Sequence, residues 1–376
     1  MMTPKSEQEL AEAIAGTDAP LTVRGGGTRP IGRALPGQTL SVAEMSGITL
    51  HEPGALTLVA QAGTPVAEIE AALAAEGQRL AFEPMDHRGL LGTTGTPTIG
   101  GVVAANVSGP RRIQVGACRD SLLGVRFVDG AGRVLRNGGR VMKNVTGYDL
   151  VKLIAGSYGT LGVLTEVSFK VLPAAEAVGT LRLHGLDDRR AVAAMSAALG
   201  SPCEVSGAAH LPRGADGRPV TMLRLEGFAD SVAYRMGRMQ TLLGSFGDGE
   251  IDRDAESVAA AWRAIRDVEA FAGQPGDVWR VSVKPSDGPA VAEALDGAEV
   301  IYDWGGGLVW ALTPEGTDAR AALAGIGGHA TLVRASEDTR ARLAVFHPEP
   351  APVAALAAGL RAKFDPRGVL NPGLMG

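Results

Sequence analysis

The stretch from Gly92 to Gly162 carries 15 glycines in 71 residues, about three times the ~7% of an average protein. Ordinary helices and strands do not need so many. Glycine concentrated between apolar runs marks backbone forced to positive φ, or brought close to another surface. A large planar or phosphorylated ligand is such a surface. The two richest segments are PTIGGVVAANVSG from Pro97 and AGSYGTLGVLTEVSFKV from Ala155.

Length and charge narrow the function classes. At 376 residues two or three domains are expected. Hydrophobic residues make up 45% and charged residues 20%, with a net charge of -5, so nothing global attracts nucleic acid or anionic lipid. No apolar run approaches the ~18 residues of a membrane span. The start, MMTPKSEQELAEAIAG, has no secretory hydrophobic core, which places the expected location in the cytoplasm. Cys118 and Cys203 are the two cysteines. They cannot supply the about four ligands of an iron-sulfur cluster and read as reduced, buried, inert thiols. The six histidines form neither H-x-H nor H-E-x-x-H, so no metal site is expected.

Along the chain, residues 6–16 read as a helix capped by Ser6, with Leu10 and Ile14 on one face and Gly16 at its end. A strand over Leu21 to Val23 runs into Arg24-Gly25-Gly26-Gly27-Thr28-Arg29-Pro30. Consecutive amides in such a turn can point inward and hold a phosphate; a plain glycine turn is the alternative. Neither G-x-G-x-x-G nor a Gly-Lys pair occurs, which argues against the Rossmann and Walker solutions. Residues 39–61 predict two or three short strands. A helix follows with Thr64 as N-cap, Pro65 in its first turn, a stripe of Val66, Ile69 and Leu73, and Gly77 as terminator. The long loop from Glu83 to Thr98 has the character of one that lines a site.

The order strand, VRGGGT turn, strands, TPVAEIE helix, TIGGVVAANVSG and GYDLVKLIAGSYGTLGVLTEVSFKVLP resembles the FAD-binding domain of the vanillyl-alcohol oxidase and p-cresol methylhydroxylase (PCMH) class, over residues 1–173. VMKNVTGYDL, VWRVSVKP at 278–285 and YDWGGGLVW at 302–310 narrow the resemblance to the FAD-binding E subunits of bacterial glycolate oxidase. The fold it implies is α+β: a PCMH-type FAD-binding domain of two α+β subdomains over 1–173, an α+β cap with an antiparallel sheet over 174–345, and a C-terminal segment, 346–376, returning to the FAD domain. It also implies that Gly25, Gly26 and Gly27 receive the FAD pyrophosphate, with Arg24 or Thr28 adding donors. Thr98, Ile99, Gly100 and Gly101 would pass beside the flavin, and Ala104 and Asn106 would continue that wall. Gly159, Thr160, Gly162 and Val163 would lie near the adenine side. Pro84, Gly95 and Thr96 in the long loop, and Asn371 near the end, complete the implied set, with Gly373 close by. Covalent attachment in this class often uses a histidine in the glycine turn; Thr28 and Arg29 stand there, so the FAD is expected to be dissociable.

Ala155-Gly156-Ser157-Tyr158-Gly159 also approximates a hydrolase nucleophile elbow, but nothing marks His184, His210, His329 or His347 as its partner. Beyond Pro173, apolar segments at 179–183, 219–226, 278–283, 307–312 and 331–335 alternate with amphipathic stretches at 188–200, 230–243, 255–272 and 289–296, as an α+β cap requires. Met222, Met236 and Met239 read as core filler. Relatives that oxidise 2-hydroxy acids carry paired-histidine metal motifs and an H-G-H type sequence that this chain lacks, leaving His329, Arg334 and Arg224 as the groups a cap site can recruit. The expected function is therefore a FAD-binding subunit of a glycolate-oxidising complex, relaying electrons or supporting a catalytic FAD subunit and an iron-sulfur subunit, with membrane contact only through those partners. A stand-alone FAD-dependent 2-hydroxy-acid dehydrogenase and a non-redox scaffold are the alternatives.

Overall fold

The computed structural model describes residues 1–33, 37–140, 147–214 and 216–375. The VMKNVT part of the motif at 141–150 lies outside the described residues. Near the amino terminus, β1 (Leu21–Arg24) and β2 (Gln38–Ser41) pair in parallel. Isolated bridges from Met2 to Leu40 and from Leu21 to Leu370 widen this small sheet on both edges. The helix Glu7–Ala15 covers it; the Ser6 hydroxyl accepts from the Glu9 N–H at 3.2 Å, and Leu10 and Ile14 are buried against Leu21, Leu40 and Val163.

A second sheet combines β3 (Ile48–Glu52), β4 (Thr57–Gln61), β6 (Leu122–Val128), β7 (Val134–Gly138) and β8 (Val163–Lys170), all antiparallel in the order β3-β4-β8-β6-β7. A two-residue ribbon of β5 (Gln78–Arg79) and β9 (Leu172–Pro173) stands beside it. Strand β8 is covered on both faces: of VLTEVSFK only Glu166 and Lys170 are not fully buried. The helix Val66–Ala75 buries the stripe of Val66, Ile69 and Leu73. Its start differs from the sequence expectation: Pro65 occupies the cap position and offers no side-chain acceptor. The Thr64 hydroxyl is instead committed to the carbonyls of Gly47 and Gln61, at 3.1 and 2.7 Å, and so cannot turn back to the helix. The loop from Glu83 to Thr98 holds only one helical turn, Arg88–Leu91.

The remainder carries β10 (Ala177–His184), β11 (Gly207–Leu211), β12 (Val220–Gly227), β13 (Gly249–Asp252), β14 (Asp277–Val283), β15 (Glu299–Asp303), β16 (Leu308–Thr313) and β17 (Gly328–Arg334). They form one antiparallel sheet in the order β13-β10-β12-β11-β15-β16-β14-β17. Each half repeats a β-α-β-β-α-β unit of ferredoxin-like order. The first has helices Asp188–Leu199 and Ala229–Leu242, the second Gly288–Ala294 and Ala319–Ala322. The halves meet where β11 pairs with β15 through His210 and Tyr302. Three of these strands, β11, β13 and β15, have no clear sequence signal because GAAHL, GEID and EVIYD are short and mixed. The helical stretch expected over 255–272 stops at Arg266, where Val268 takes φ +54° and a 3₁₀ turn follows.

Alternation along β14 to β17 divides this sheet into two faces. Trp279, Val281, Val309, Ala311 and Leu332 pack under the helices. Val278, Ile301, Leu308, Trp310 and Val333 join the core of the amino-terminal domain. Met236 and Met239 are fully buried filler, as their spacing suggests. Both cysteines are buried, and burial pushes the Cys118 thiol far above its ordinary pKa, so it is inert as a nucleophile. The chain end is tied down: the Asp365 carboxylate accepts from the N–H groups of Val369 and Leu370, and Arg367 donates to the carbonyls of Ile14 and Gly130. Among the described residues no helix is long and apolar enough to cross a membrane.

Candidate cofactor site

A cleft of about 560 Å³ opens between the small parallel sheet, the helix Ile99–Ala104 and the start of β8, within the range of cofactor pockets. Its rim is the turn after β1. None of the N–H groups of Gly25, Gly26, Gly27, Thr28 and Arg29 donates to an acceptor among the described residues. Backbone amides in a folded chain are almost always paired, so five in succession facing a cleft form a nest for an anion. The Thr98 and Ser157 hydroxyls are likewise buried without a partner, and Thr98 lines the cleft. These vacant donors fit a phosphorylated cofactor.

The glycines serve this arrangement in two ways. A Cβ on Gly26 would fall well under 3.0 Å from the Thr96 carbonyl, and one on Gly95 would collide with the Gly26 carbonyl. Those two let the turn lie directly on the loop behind it. Gly27 instead takes φ +70° with open space on its side-chain face.

Of the sequence-predicted set, Arg24, Gly25, Gly26, Gly27, Thr28, Thr98, Gly100, Gly101, Ala104, Gly159, Gly162, Val163 and Asn371 line the cleft. The others stand behind it. Gly95 and Thr96 support the turn, and Ile99 is fully buried in the core. The Asn106 carboxamide accepts from the Arg119 N–H at 3.0 Å, and the Thr160 hydroxyl donates to the Ser157 carbonyl at 2.7 Å. Pro84 is buried beside Glu83, away from the cleft. The side chain of Asn371 is a strut: its oxygen accepts from Val23 N–H at 2.8 Å and its nitrogen donates to the Tyr158 carbonyl at 2.9 Å. Sequence reasoning assigned no role to Arg29, Tyr158, Glu337 or Arg340, all of which line the cleft. No histidine or cysteine lines it. Ser157, the candidate hydrolase nucleophile, has no hydrogen-bonded base.

On the cap sheet, outside the lining of the cleft, Arg280 stands in register with Thr331 on one side and Trp310 on the other, and Ser282 with His329. Arg280 lies 5.0 Å from the Trp304 ring, and Arg112 from the amino-terminal domain lies 4.5 Å from the same ring. Burial and the neighbouring Arg112 bring the Arg280 pKa down to about 10. Burial, then Arg280, lowers His329 below its ordinary value, leaving a neutral imidazole near neutrality. The two other groups proposed for recruitment are already committed. Arg334 donates to the carbonyls of Leu90, Phe271 and Gln274, and Arg224 to Glu83. Among the described residues no cluster of His, Cys, Asp or Glu could hold a metal.

Nearby Asp303 is buried and accepts from the Trp304 N–H at 2.7 Å. Burial outweighs that bond and pushes its carboxyl up to about 7. A raised carboxyl pKa makes its contribution to stability greatest below the unfolded value and progressively lost as pH rises through 7. Asp303→Asn should accordingly gain ~1–3 kcal/mol above neutrality and nothing in acid, checked by thermal unfolding across pH.

An ion cluster joins the domains. Arg224 on β12 grips Glu83 with two hydrogen bonds of 3.0 and 2.9 Å. Arg111 grips Glu226 with two of 2.9 Å, and Arg79 adds one of 2.6 Å. Arg111 also reaches Glu83 at 3.3 Å. Burial alone would raise both carboxyls, but Arg224 and Arg111 overcome it and hold Glu83 and Glu226 below the usual carboxylate range.

A nest of unpaired amides before a cleft, on paired α+β sheets with an antiparallel cap, makes a site for a phosphorylated cofactor. Residues 1–138 match the FAD binding domain family. The chain is 38% identical to glycolate oxidase subunit GlcE of Escherichia coli (strain K12) over 98% of its own length and 95% of that relative's. The chain belongs to the glycolate oxidase subunit GlcE family. Similarity to glycolate oxidase subunit GlcD of Bacillus subtilis (strain 168), at 31% identity, covers 48% of this chain and 38% of that relative. D-lactate dehydrogenase of Archaeoglobus fulgidus, at 35% identity, matches over 46% and 38%. A solved alkyldihydroxyacetonephosphate synthase shares the fold with a TM-score of 0.70 at 16% identity, over 98% of this chain and 76% of that one. The α+β fold, the FAD cofactor and the oxidoreductase class implied by the sequence resemblance therefore hold.

Proposed function

We propose that this chain is a FAD-binding subunit of an assembly that oxidises glycolate to glyoxylate, carrying electrons between a catalytic FAD subunit and an iron-sulfur subunit. The observation that carries it is the row of five unpartnered amides, Gly25 to Arg29, at the rim of the cleft. The glycine turn would hold the FAD pyrophosphate, and Thr98, Gly100, Gly101 and Ala104 would wall the ring. FAD would be dissociable, because Thr28 and Arg29 occupy the turn where a histidine would form a covalent link. The substrate is supported by the name of the full-length relative. Glycolate gives up two electrons and two protons in becoming glyoxylate. With Cys118 and Cys203 as the two cysteines of the chain, this subunit has too few to hold a cluster, so electrons leaving the flavin pass to oxygen, a quinone or a partner, and the name of the full-length relative as a subunit favours the partner.

A second reading, oxidation of the 2-hydroxy acid in this chain itself, is favoured by Arg280, which forms no ion pair with a carboxylate among the described residues. It would take the substrate carboxylate, and the neutral His329 ring would accept the hydroxyl proton. The isolated chain reconstituted with FAD separates the two. Its flavin bands should persist when glycolate is added without oxygen, and bleach once the partner subunits are present. Bleaching of the isolated chain, abolished in Arg280→Gln, would establish the second reading instead.

A further inference from the structure

We propose that Arg29 sets the redox poise of the bound FAD, holding an uncompensated positive charge against the ring end of the cleft so that the reduced, anionic cofactor is bound more tightly than the oxidised one. The inference rests on FAD occupying the cleft and is independent of where glycolate reacts.

Arg29 lines the cleft and is fixed in place: Nη1 donates to the Gly101 carbonyl at 2.7 Å and Nε to His87 Nδ1 at 3.3 Å. Its hydrogen-bond partners are both uncharged acceptors. Burial, followed by the Arg29 charge, holds His87 well below its ordinary pKa, so its ring is neutral; in the tautomer protonated at Nε2 its Nδ1 accepts from Arg29, and its 3.3 Å approach to the Met85 carbonyl is then not a hydrogen bond. Among the described residues no carboxylate is within ion-pair distance of the guanidinium, and burial lowers its pKa. Arginine nevertheless stays charged in proteins. A partly buried, unpaired guanidinium is costly to keep, and a negative ligand would offset that cost.

Position selects which part of the cofactor it faces. The nest at Gly25 to Gly27 and the exposed Arg24 already provide for the phosphates at the rim. The Arg29 guanidinium points instead to the helix Ile99–Ala104, where Gly101 and Ala104 line the cleft beside Tyr158. Tyr158 meets Phe346 edge to face at 4.8 Å. This aromatic, small-residue end suits a planar ring rather than a pyrophosphate. A ring that has gained two electrons and one proton carries a negative charge, while the second proton released by the substrate goes to solvent. Charge placed beside a flavin ring tunes its electronics, and a fixed cation favours the anionic form.

The test is the midpoint potential of purified wild type, Arg29→Gln and Arg29→Lys, each loaded with FAD, together with the affinity of each for oxidised FAD. Arg29→Gln should weaken binding of reduced FAD about 100-fold more than of oxidised FAD, a fall of ~60 mV at ~30 mV per tenfold for two electrons. Arg29→Lys should retain most of the wild-type potential. If Arg29 serves the pyrophosphate, Arg29→Gln would lose affinity for both redox forms equally and keep its potential, which overturns the proposal. Should Arg29→Gln take up no FAD, the wild type decides. Its potential should change by ~30 mV per pH unit on the acid side of neutrality, where one proton accompanies two electrons. A slope of ~60 mV there, meaning a neutral reduced ring, also overturns it. A wild-type chain that takes up no FAD overturns both this inference and the cofactor assignment beneath it.

Discussion

Gly26→Ala is expected to abolish FAD uptake and to cost ~3 kcal/mol or more of stability, although it adds one methyl group to a turn. That methyl would occupy the position of the Thr96 carbonyl, and neither backbone can yield without moving the nest away from the cleft. Gly27→Ala is the control. Its side-chain face is open, so the change costs only the ~1–2 kcal/mol of holding alanine at positive φ, and FAD should still bind. Flavin absorbance and thermal unfolding of the two variants check this. Equal FAD content in both would show that contact between the turn and the Thr96 loop is dispensable.

The second large effect is expected in the ion cluster. Glu226→Gln removes the charge that balances Arg111 and Arg79 in a site where Glu226 is only 7% exposed. Breaking one side of a buried pair typically costs ~3–5 kcal/mol. Because the arginines hold Glu83 and Glu226 below their ordinary values, their contribution is present above the unfolded carboxyl pKa and is lost as pH falls through the folded one. Wild type should therefore lose stability steeply in acid, while Glu226→Gln starts lower and shows a shallower acid limb. Urea unfolding at a series of pH values measures both. Parallel acid limbs would mean that other carboxylates govern acid unfolding.

Much of the site was legible because its groups are contiguous. The glycine turn, the TIGG segment and the GTLG segment each occupy a few adjacent positions, and their departure from ordinary composition is visible without coordinates. Gly26 and Gly95, however, are glycine because of one another, a constraint across 69 positions that a local reading assigns to the ligand. Arg29 and Arg280 escaped for a related reason. An arginine gains meaning from what fails to meet it, and whether a carboxylate lies within reach is settled only by tertiary packing. Arg334 and Arg224 looked equally available, yet packing commits one to backbone carbonyls and the other to Glu83. Strands β11 and β15 were obscure because their place is fixed by neighbours on both sides rather than by a strong alternation of their own, and β13 because it is a four-residue edge strand paired with β10 alone.

The paired halves of the cap are moored to the amino-terminal domain at separate places. The half from β10 to β13 is held through Arg224 and Glu226. The half from β14 onward is held by the Trp304 indole on the Gly109 carbonyl at 3.1 Å, Arg334 on Leu90 and Arg340 on Pro30. Between the moorings, the pairing of His210 with Tyr302 is reinforced by Asp188, which accepts from the Tyr302 hydroxyl at 2.6 Å and meets His210 at 3.3 Å. The cap is thus a book bound along a narrow spine, each cover fastened to the table by its own clasp. Releasing the clasp on the first cover would leave the second still fastened through Trp304, Arg334 and Arg340.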